Sequence, residues 1–331
     1  MELVAPAGNL LALKTAVNAG ADAVYIGLKN ATNARNFSGL NFTEADIRSG
    51  IQYARQHKRK VMVAINTFPQ AGRAGEWRAT VDAAHALGAD AVILADPGLL
   101  AYAADRYPAM NRHLSVQGSA THADAIELMR EQFGIVRAVL PRVLALADIE
   151  RLIQHTSVPL EVFGFGSLCV MAEGRCLLSS FATGDSPNNK GVCSPAHAVR
   201  WLDKGNTLEA RLGGIMIDAY GPGESAGYPT LCKGRFEVEG EVDHVLENPT
   251  SLNSLDLLPR LLEIGVSALK IEGRQRSPAY VKEVVSTLRA AIDALKRDPA
   301  RYAARSTWHQ ALSRHAEGEQ VTQGAYDRPW K

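Results

Sequence analysis

The chain has 331 residues, 46% hydrophobic and 21% charged, enough for one large barrel or two ordinary domains. A formal net charge of +1 argues against a broad electrostatic grip on nucleic acid or anionic lipid. The opening MELVAPAGNL has no basic n-region, and no run of about 18 apolar residues occurs, so a cytoplasmic protein without a membrane span is expected.

Short runs rich in Val, Ile and Leu, ending in Gly, Pro, Asn or Asp, alternate with helical patterns. They cover 3–7, 23–28, 60–67, 91–97, 114–119, 138–143, 159–166 and 268–273. Most are apolar on both faces, which suits strands of a parallel sheet covered by helices. Segment 43–58 predicts a helix capped by Thr43, with Asp46 three residues on and Ile47, Ile51 and Ala54 along one face. The hairpin signal lies in RFEVEGEVDHVL, 235–246, turning at Glu239-Gly240. Segment 277–299 predicts a second capped helix, with Ser277 as N-cap and Pro278 at the first helical position. Its Val281, Val285, Leu288, Ile292 and Leu295 fall at helical spacing.

Eight strand–helix units predict an α/β fold, a (β/α)8 TIM-type barrel. A doubly wound sheet is the competing architecture, but no G-x-G-x-x-G follows the first strand. The expected organisation is a single barrel domain over 1–299, with a long insertion, 167–266, between strands seven and eight. A polar C-terminal tail, 300–331, packs on the barrel. Connections that long usually carry function, and this one leaves the barrel's C-terminal face, where active sites are built.

All four cysteines lie in that insertion, spaced C-x6-C-x16-C-x38-C at Cys169, Cys176, Cys193 and Cys232. Buried apolar thiols, redox thiols, zinc ligands and iron–sulfur ligands are all compatible with the bare count. Zinc sites usually contain a C-x2–4-C knuckle, which is missing here, whereas a four-iron cluster accepts ligands from separate loops. Arg175, Lys190, Lys233 and Arg235 stand beside the cysteines in sequence, and cations near thiolates stabilise a negative centre. Gly164, Gly166, Gly174, Gly191 and Gly234 would let backbone amides approach sulfur.

Other chemistry is sparse. H-E-x-x-H does not occur, and GFGSL is not G-x-S-x-G, so Ser167 has no hydrolase motif around it. His85 and His122 fall in predicted helices and read as surface or packing residues. Asn66, Asp96, Gln117, Arg142 and Glu272 sit at predicted strand ends and would meet at the barrel mouth. In KIEGRQRSP, Lys270, Arg274 and Arg276 flank Glu272 before a helix, an arrangement suited to an anionic substrate or to a salt-bridged loop. Arg35, in the loop after strand two, either binds a carboxylate or braces its loop. The candidate substrate-binding set is Arg35, Asn66, Gln117, Arg142, Glu272 and Arg274.

The stretches VFGFGSLCVMAEGRCLLSSFATGDSPN, GYPTLCKGR and KIEGRQRSPAYV together resemble the collagenase-like "peptidase" superfamily. Within it they resemble the UbiU-type branch of oxygen-independent ubiquinone-biosynthesis proteins. The resemblance runs along the whole chain. It implies a barrel whose Cys169, Cys176, Cys193 and Cys232 hold a 4Fe-4S cluster. It also implies a heterodimer with a UbiV-like sibling subunit and help from a UbiT-like sterol-carrier lipid-binding protein. The implied reaction hydroxylates the aromatic ring of a prenylated quinone precursor without O2, with prephenate as hydroxyl donor. The alternative within the superfamily is prephenate-dependent hydroxylation of a tRNA or rRNA base, and a third reading is a non-catalytic, cluster-bearing scaffold. The near-neutral charge favours the quinone over nucleic acid, and the peptidase label finds no hydrolytic motif here.

Overall fold

The structure is a computed structural model and describes residues 1–328. Positions 329–331 of the expected tail lie outside the described residues. Seven strands alternate with helices along the first half. The strands are β1 (Glu2–Pro6), β2 (Ala23–Gly27), β3 (Lys60–Ile65), β4 (Ala91–Leu94), β5 (Arg112–Leu114), β6 (Ile135–Val139) and β7 (Leu160–Ser167). The helices between them are α1 (Leu10–Asn18), α2 (Glu44–Gln56), α3 (Ala74–Ala86), α4 (Pro97–Arg106), α5 (Ala123–Phe133) and α6 (Leu146–His155). After β7 come α7 (Leu178–Thr183), α8 (Pro187–Lys190), β8 (Val199–Asp203), β9 (Leu208–Leu212) and β10 (Ile215–Tyr220). Then follow β11 (Phe236–Val238), β12 (Glu241–Asp243), β13 (Ser251–Asn253), α9 (Leu258–Glu263) and β14 (Ala268–Ile271). The chain continues through α10 (Pro278–Arg297), α11 (Ser306–Ser313) and β15 (Val321–Thr322).

β14 pairs in parallel with both β1 and β7, so β1–β7 and β14 close into the eight-stranded parallel barrel expected from the alternation. Strand periodicity divides the core in two. Val24, Ile26, Val61, Val63, Val92 and Leu94 face outward and pack with the helices. Val4, Ala23, Tyr25, Met62, Ala64, Ala91, Ile93 and Ala268 form a separate cluster inside the barrel. That apolar filling comes from β1 to β4 and from Ala268. The opposite wall is charged. Glu161 of β7, fully buried, accepts from Lys270 Nζ at 2.6 Å and Arg137 Nη1 at 3.1 Å. Arg137 reaches on to Glu2, and His113 is buried among them.

The two capped helices form as their sequences require. Thr43 and Asp46 make a reciprocal capping box on α2. The Ser277 side chain accepts from the Tyr280 N–H at the start of α10, whose five predicted apolar positions are all buried. His85 lies on α3 and stacks on Tyr107 at 4.0 Å, whereas His122 is the N-cap of α5 rather than a residue within it.

Two barrel strands lie upstream of their apolar signals. β5 ends at Leu114, where the pattern predicts a strand to begin, and Val116–Gly118 is a 3-10 turn. β6 occupies 135–139 rather than 138–143. Polar letters hide both. The Arg112 guanidinium donates to the carbonyls of Phe133, Tyr107 and Met110. His113 and Arg137 line the charged wall inside the barrel. Pro141, which has no N–H to donate to a ladder, marks the turn after β6.

Beyond β7, the hairpin β11–β12 turns at Glu239 (φ 55°) and Gly240 (φ 83°), as its sequence predicts. The antiparallel sheet β10–β9–β8 is an element the sequence did not announce. β13 returns to the barrel, pairing antiparallel with β7 and parallel with β15. Leu252, Leu255, Leu258 and Leu261 are buried in the main core, so the final stretch of 167–266 packs as part of the barrel body. The tail follows suit, burying Trp308, Leu312 and Tyr326. Among the described residues no helix is long and apolar enough to cross a membrane.

Candidate functional site

Arg35, Asn66, Gln117, Arg142, Cys169 and Glu272 all follow the C-terminal ends of barrel strands, which places them at one mouth. Arg142, after β6, is the hub. Its Nε donates to Glu173 Oε1 at 2.6 Å, its Nη1 to the Ser167 carbonyl and its Nη2 to Cys169 Sγ at 3.0 Å. The guanidinium lies over the Phe163 ring, 4.5 Å from its centroid, and is 3% exposed, so these contacts are made away from solvent.

Arg35 approaches Glu272 at 3.5 Å. Burial pushes the Glu272 carboxyl up, but the charges of Arg35, Arg142, Arg276 and Lys233 outweigh it and hold the group below the usual carboxylate range. Arg35 in turn has burial working against its charge, and Glu272, Cys193 and Cys169 reverse the balance.

The four cysteines are free thiols. Were they ionised, the charge of Cys193 would weigh on Cys169 and Cys232, and that of Cys176 on Cys193 and Cys232. Burial pushes the Cys169 thiol up to about 12, against the pull of Arg142. Burial raises Cys193 against Arg35 and pushes Cys232 to about 11 against Lys233. Among the described residues no three His, Cys, Asp or Glu side chains converge closely enough to hold a single metal ion.

Arg142 touches sulfur, at Cys169, while Arg35 and Lys233 bear on Cys193 and Cys232 through their charge. Three of the four neighbours in sequence face elsewhere. Arg175 donates to the Ser119 carbonyl, Lys190 is exposed, and Arg235 pairs with Asp218 and Glu224. Adjacent side chains diverge from one backbone, so sequence adjacency to a cysteine did not predict spatial adjacency.

The atoms nearest the five predicted glycines belong to neighbouring chain segments rather than to sulfur. Gly174 (φ 89°) would place a Cβ 2.0 Å from the Gln117 carbonyl oxygen, and Gly191 (φ 82°) would place one 2.4 Å from that of Asn33. Only glycine lets the cysteine segment press this closely on the loops after β5 and β2. The Ser119 hydroxyl, donating to the Glu173 carbonyl, and the Phe68 N–H, donating to the Asn188 carbonyl at 2.9 Å, complete the clamp.

Other predicted residues take structural posts. Asn66 bridges the Ser115 hydroxyl and the Ala34 N–H, holding the β2 and β5 loops together. Asp96 caps α4 through the Leu99 N–H and does not join the mouth cluster. Gln117 carries a buried side-chain oxygen without a hydrogen-bond partner. Arg274 is buried, donates to Asn33 Oδ1 at 3.1 Å and lies 5.6 Å from the Tyr25 ring centroid. Burial lowers its guanidinium to about 10. Lys270 sits one layer deeper, with Nζ 3.8 Å from the Tyr25 ring centroid. Arg276 pairs with Glu317 of the tail at 3.6 Å.

The sequence reading missed Glu173 and Tyr25. Glu173 is a lone acid between two cysteines. Tyr25 is an inward position of β2 by strand parity, so both carried a usable signal.

The family profile described as Peptidase family U32 matches residues 8–329. The chain is 30% identical over 322 residues to the tRNA hydroxylation protein P1 of Bacillus subtilis, covering 97% of this chain and 70% of that protein. It is 31% identical over 314 residues to the tRNA hydroxylation protein P of Escherichia coli, covering 88% and 68%. It is also 27% identical over 312 residues to the 23S rRNA 5-hydroxycytidine C2501 synthase of Escherichia coli, covering 93% of this chain but 42% of that one. Among solved structures, the U32 peptidase Mk0906 superposes with a TM-score of 0.50 over 84% of this chain and 94% of its own, at 13% identity, a likeness of fold alone.

Proposed function

The chain belongs to peptidase family U32, and on that premise we propose that it is an O2-independent hydroxylation protein whose four cysteines hold a 4Fe-4S cluster. The observation that carries the proposal is that four unbridged cysteines lie in the insertion after β7, which glycines press onto the barrel mouth, with Cys169 Sγ 3.0 Å from the buried Arg142 Nη2. The residues present fit such a group. Burial that raises Cys169, Cys193 and Cys232 leaves these three protonated unless a cation replaces the protons. The convergence that a single ion demands is tighter than a four-iron cluster needs, since the cluster holds its thiolates farther apart. A bound cluster would supply one-electron chemistry at the barrel mouth.

The chain's own residues do the rest. Arg142 and Arg35 oppose the negative charge of thiolates, and Glu173 and Glu272 keep both guanidinia in place. Arg35 and Glu272 present one cation and one anion to a small polar co-substrate, which the family resemblance gives as prephenate. Phe163, covered by Arg142, closes the floor of the mouth against water.

The substrate best supported by the relatives is an RNA base, because the similar proteins are tRNA hydroxylation proteins and an rRNA 5-hydroxycytidine synthase. A second reading, the ring of a prenylated ubiquinone precursor, is favoured by the net charge of +1, which offers little to a phosphate backbone. This reading brings the UbiV-like and UbiT-like partners with it.

Iron and acid-labile sulfide in anaerobically purified protein test the cluster, and zinc or no metal would sink it. A deletion strain grown without O2 separates the substrates. Loss of a hydroxylated nucleoside with normal quinone supports the RNA base, and accumulation of an under-hydroxylated quinone precursor with intact nucleosides supports the second reading.

A further inference from the structure

Cys232 is the cysteine most distant in sequence, and its position depends on a short 3-10 turn, Leu231–Lys233, whose start has no side-chain cap. That turn is tied down through its next residue. The Lys233 ammonium donates to Ser167 Oγ at 2.9 Å and to the carboxylate of Glu317. Glu317 comes from the tail, over eighty residues later in the chain. Its own placement is over-determined: its N–H donates to Ser251 Oγ at 2.9 Å, and its other oxygen faces Arg276 at 3.6 Å. Ser251 stands opposite both Ser167 on β7 and Val321 on β15. Gly318, next to Glu317, packs so closely on Pro249 that a Cβ would meet its carbonyl oxygen at 2.6 Å. The Lys233–Glu317 pair is mostly shielded, with side chains 10% and 24% exposed.

The end of β7 and the tail thus converge on one ammonium, with β13 holding the tail residue in place, and the ammonium belongs to the neighbour of Cys232. We infer that Glu317 is a positioning residue for Cys232, a latch by which the C-terminal tail holds the fourth thiol against the other three. This inference rests on the reading of the cysteines as one site. The Ser167–Lys233 contact, which superficially resembles a nucleophile with its base, is part of the same latch, since the ammonium is shared with a carboxylate.

The test follows the thiols one by one. Metal-free full-length protein is treated with iodoacetamide under reducing, anaerobic conditions, and each cysteine's alkylation rate is read by peptide mass spectrometry. Glu317→Gln should raise the Cys232 rate about tenfold while Cys169 and Cys193 keep their native rates, and Glu317→Asp should restore most of the protection. Lys233→Gln should match Glu317→Gln, and the double variant should add little further. An unchanged Cys232 rate in Glu317→Gln overturns the latch. Equal acceleration of all four cysteines overturns it too, because the tail would then be supporting the fold in general. The parallel readout on iron-loaded protein is the iron count and electron paramagnetic resonance spectrum, where Glu317→Gln should lose about one iron of four. If native protein takes up no iron, the cluster reading fails by itself, and the alkylation rates still decide the latch.

Discussion

The Nη2 of Arg142 stands 3.0 Å from the Sγ of Cys169, while its Nε is bound to Glu173. One guanidinium thus serves a thiol and a buried carboxylate together. Replacing it by methionine leaves Glu173 buried without its partner, at a cost of about 3–5 kcal/mol. Arg142→Met should lower the denaturant midpoint accordingly and make Cys169 slower to alkylate, because the cation that favours its thiolate is gone. Arg142→Lys should recover only part of the stability, since an ammonium cannot span the three contacts of a planar fork.

On the proposed function, Cys193→Ser and Cys176→Ala should each abolish the brown chromophore of the cluster. Visible absorbance and iron content of anaerobically purified variants check this. Normal iron in Cys193→Ser would remove it from the ligand set.

The barrel's charged wall makes stability depend on pH. His113 is buried with an unpartnered Nδ1, and burial lowers its imidazole from near 6.5 to about 4. Glu161 and Glu2 pull the other way, while Arg137 and Lys270 reinforce the shift. The folded state therefore binds the proton less readily than the unfolded chain. Stability is complete above pH 6.5 and falls as pH drops toward 4, by about 3 kcal/mol in all. Glu161 is itself held below the usual carboxylate range, so its contribution fades only at lower pH. His113→Gln should flatten the unfolding free energy between pH 6.5 and 4.5, as followed by urea titration.

Gly174→Ala tests the clamp on the cysteine segment. A non-glycine residue at φ 89° costs about 1–3 kcal/mol in backbone strain. The added methyl would also overlap the Gln117 carbonyl, which the backbone must move to avoid. The expected outcome is proteolytic nicking between Cys169 and Cys193 at protease levels that leave the native protein intact.

Much of the fold was legible because most barrel strands bury both faces and read as apolar runs. The exceptions have a shared cause. β5 and β6 carry the buried His113 together with Arg112 and Arg137, and the two arginines are satisfied by carbonyls and by carboxylates from distant strands, a pairing no local pattern reveals. At the site, the cysteines and Arg142 stood out by residue type and strand position. The roles of Arg175, Lys190 and Arg235 did not follow from their positions beside cysteines, because direction from the backbone decides contact. Glu317 left no signal, since its meaning depends on the tail crossing back over the barrel.

The barrel's two-faced interior also dictates an order of construction. Its apolar half comes from β1 to β4 and can gather as soon as those strands leave the ribosome. Glu161 must wait for Lys270, 109 residues later, and the cysteine segment and Cys232 lie in that interval. Every thiol is therefore synthesised before the strand that shuts the barrel and before the tail that reaches Lys233. For that interval, on the order of ten seconds at ordinary elongation rates, the sulfur-bearing segment hangs from an open, half-neutralised sheet. Solvent has its widest access to the thiols then, and closure by β14 is the event that ends it.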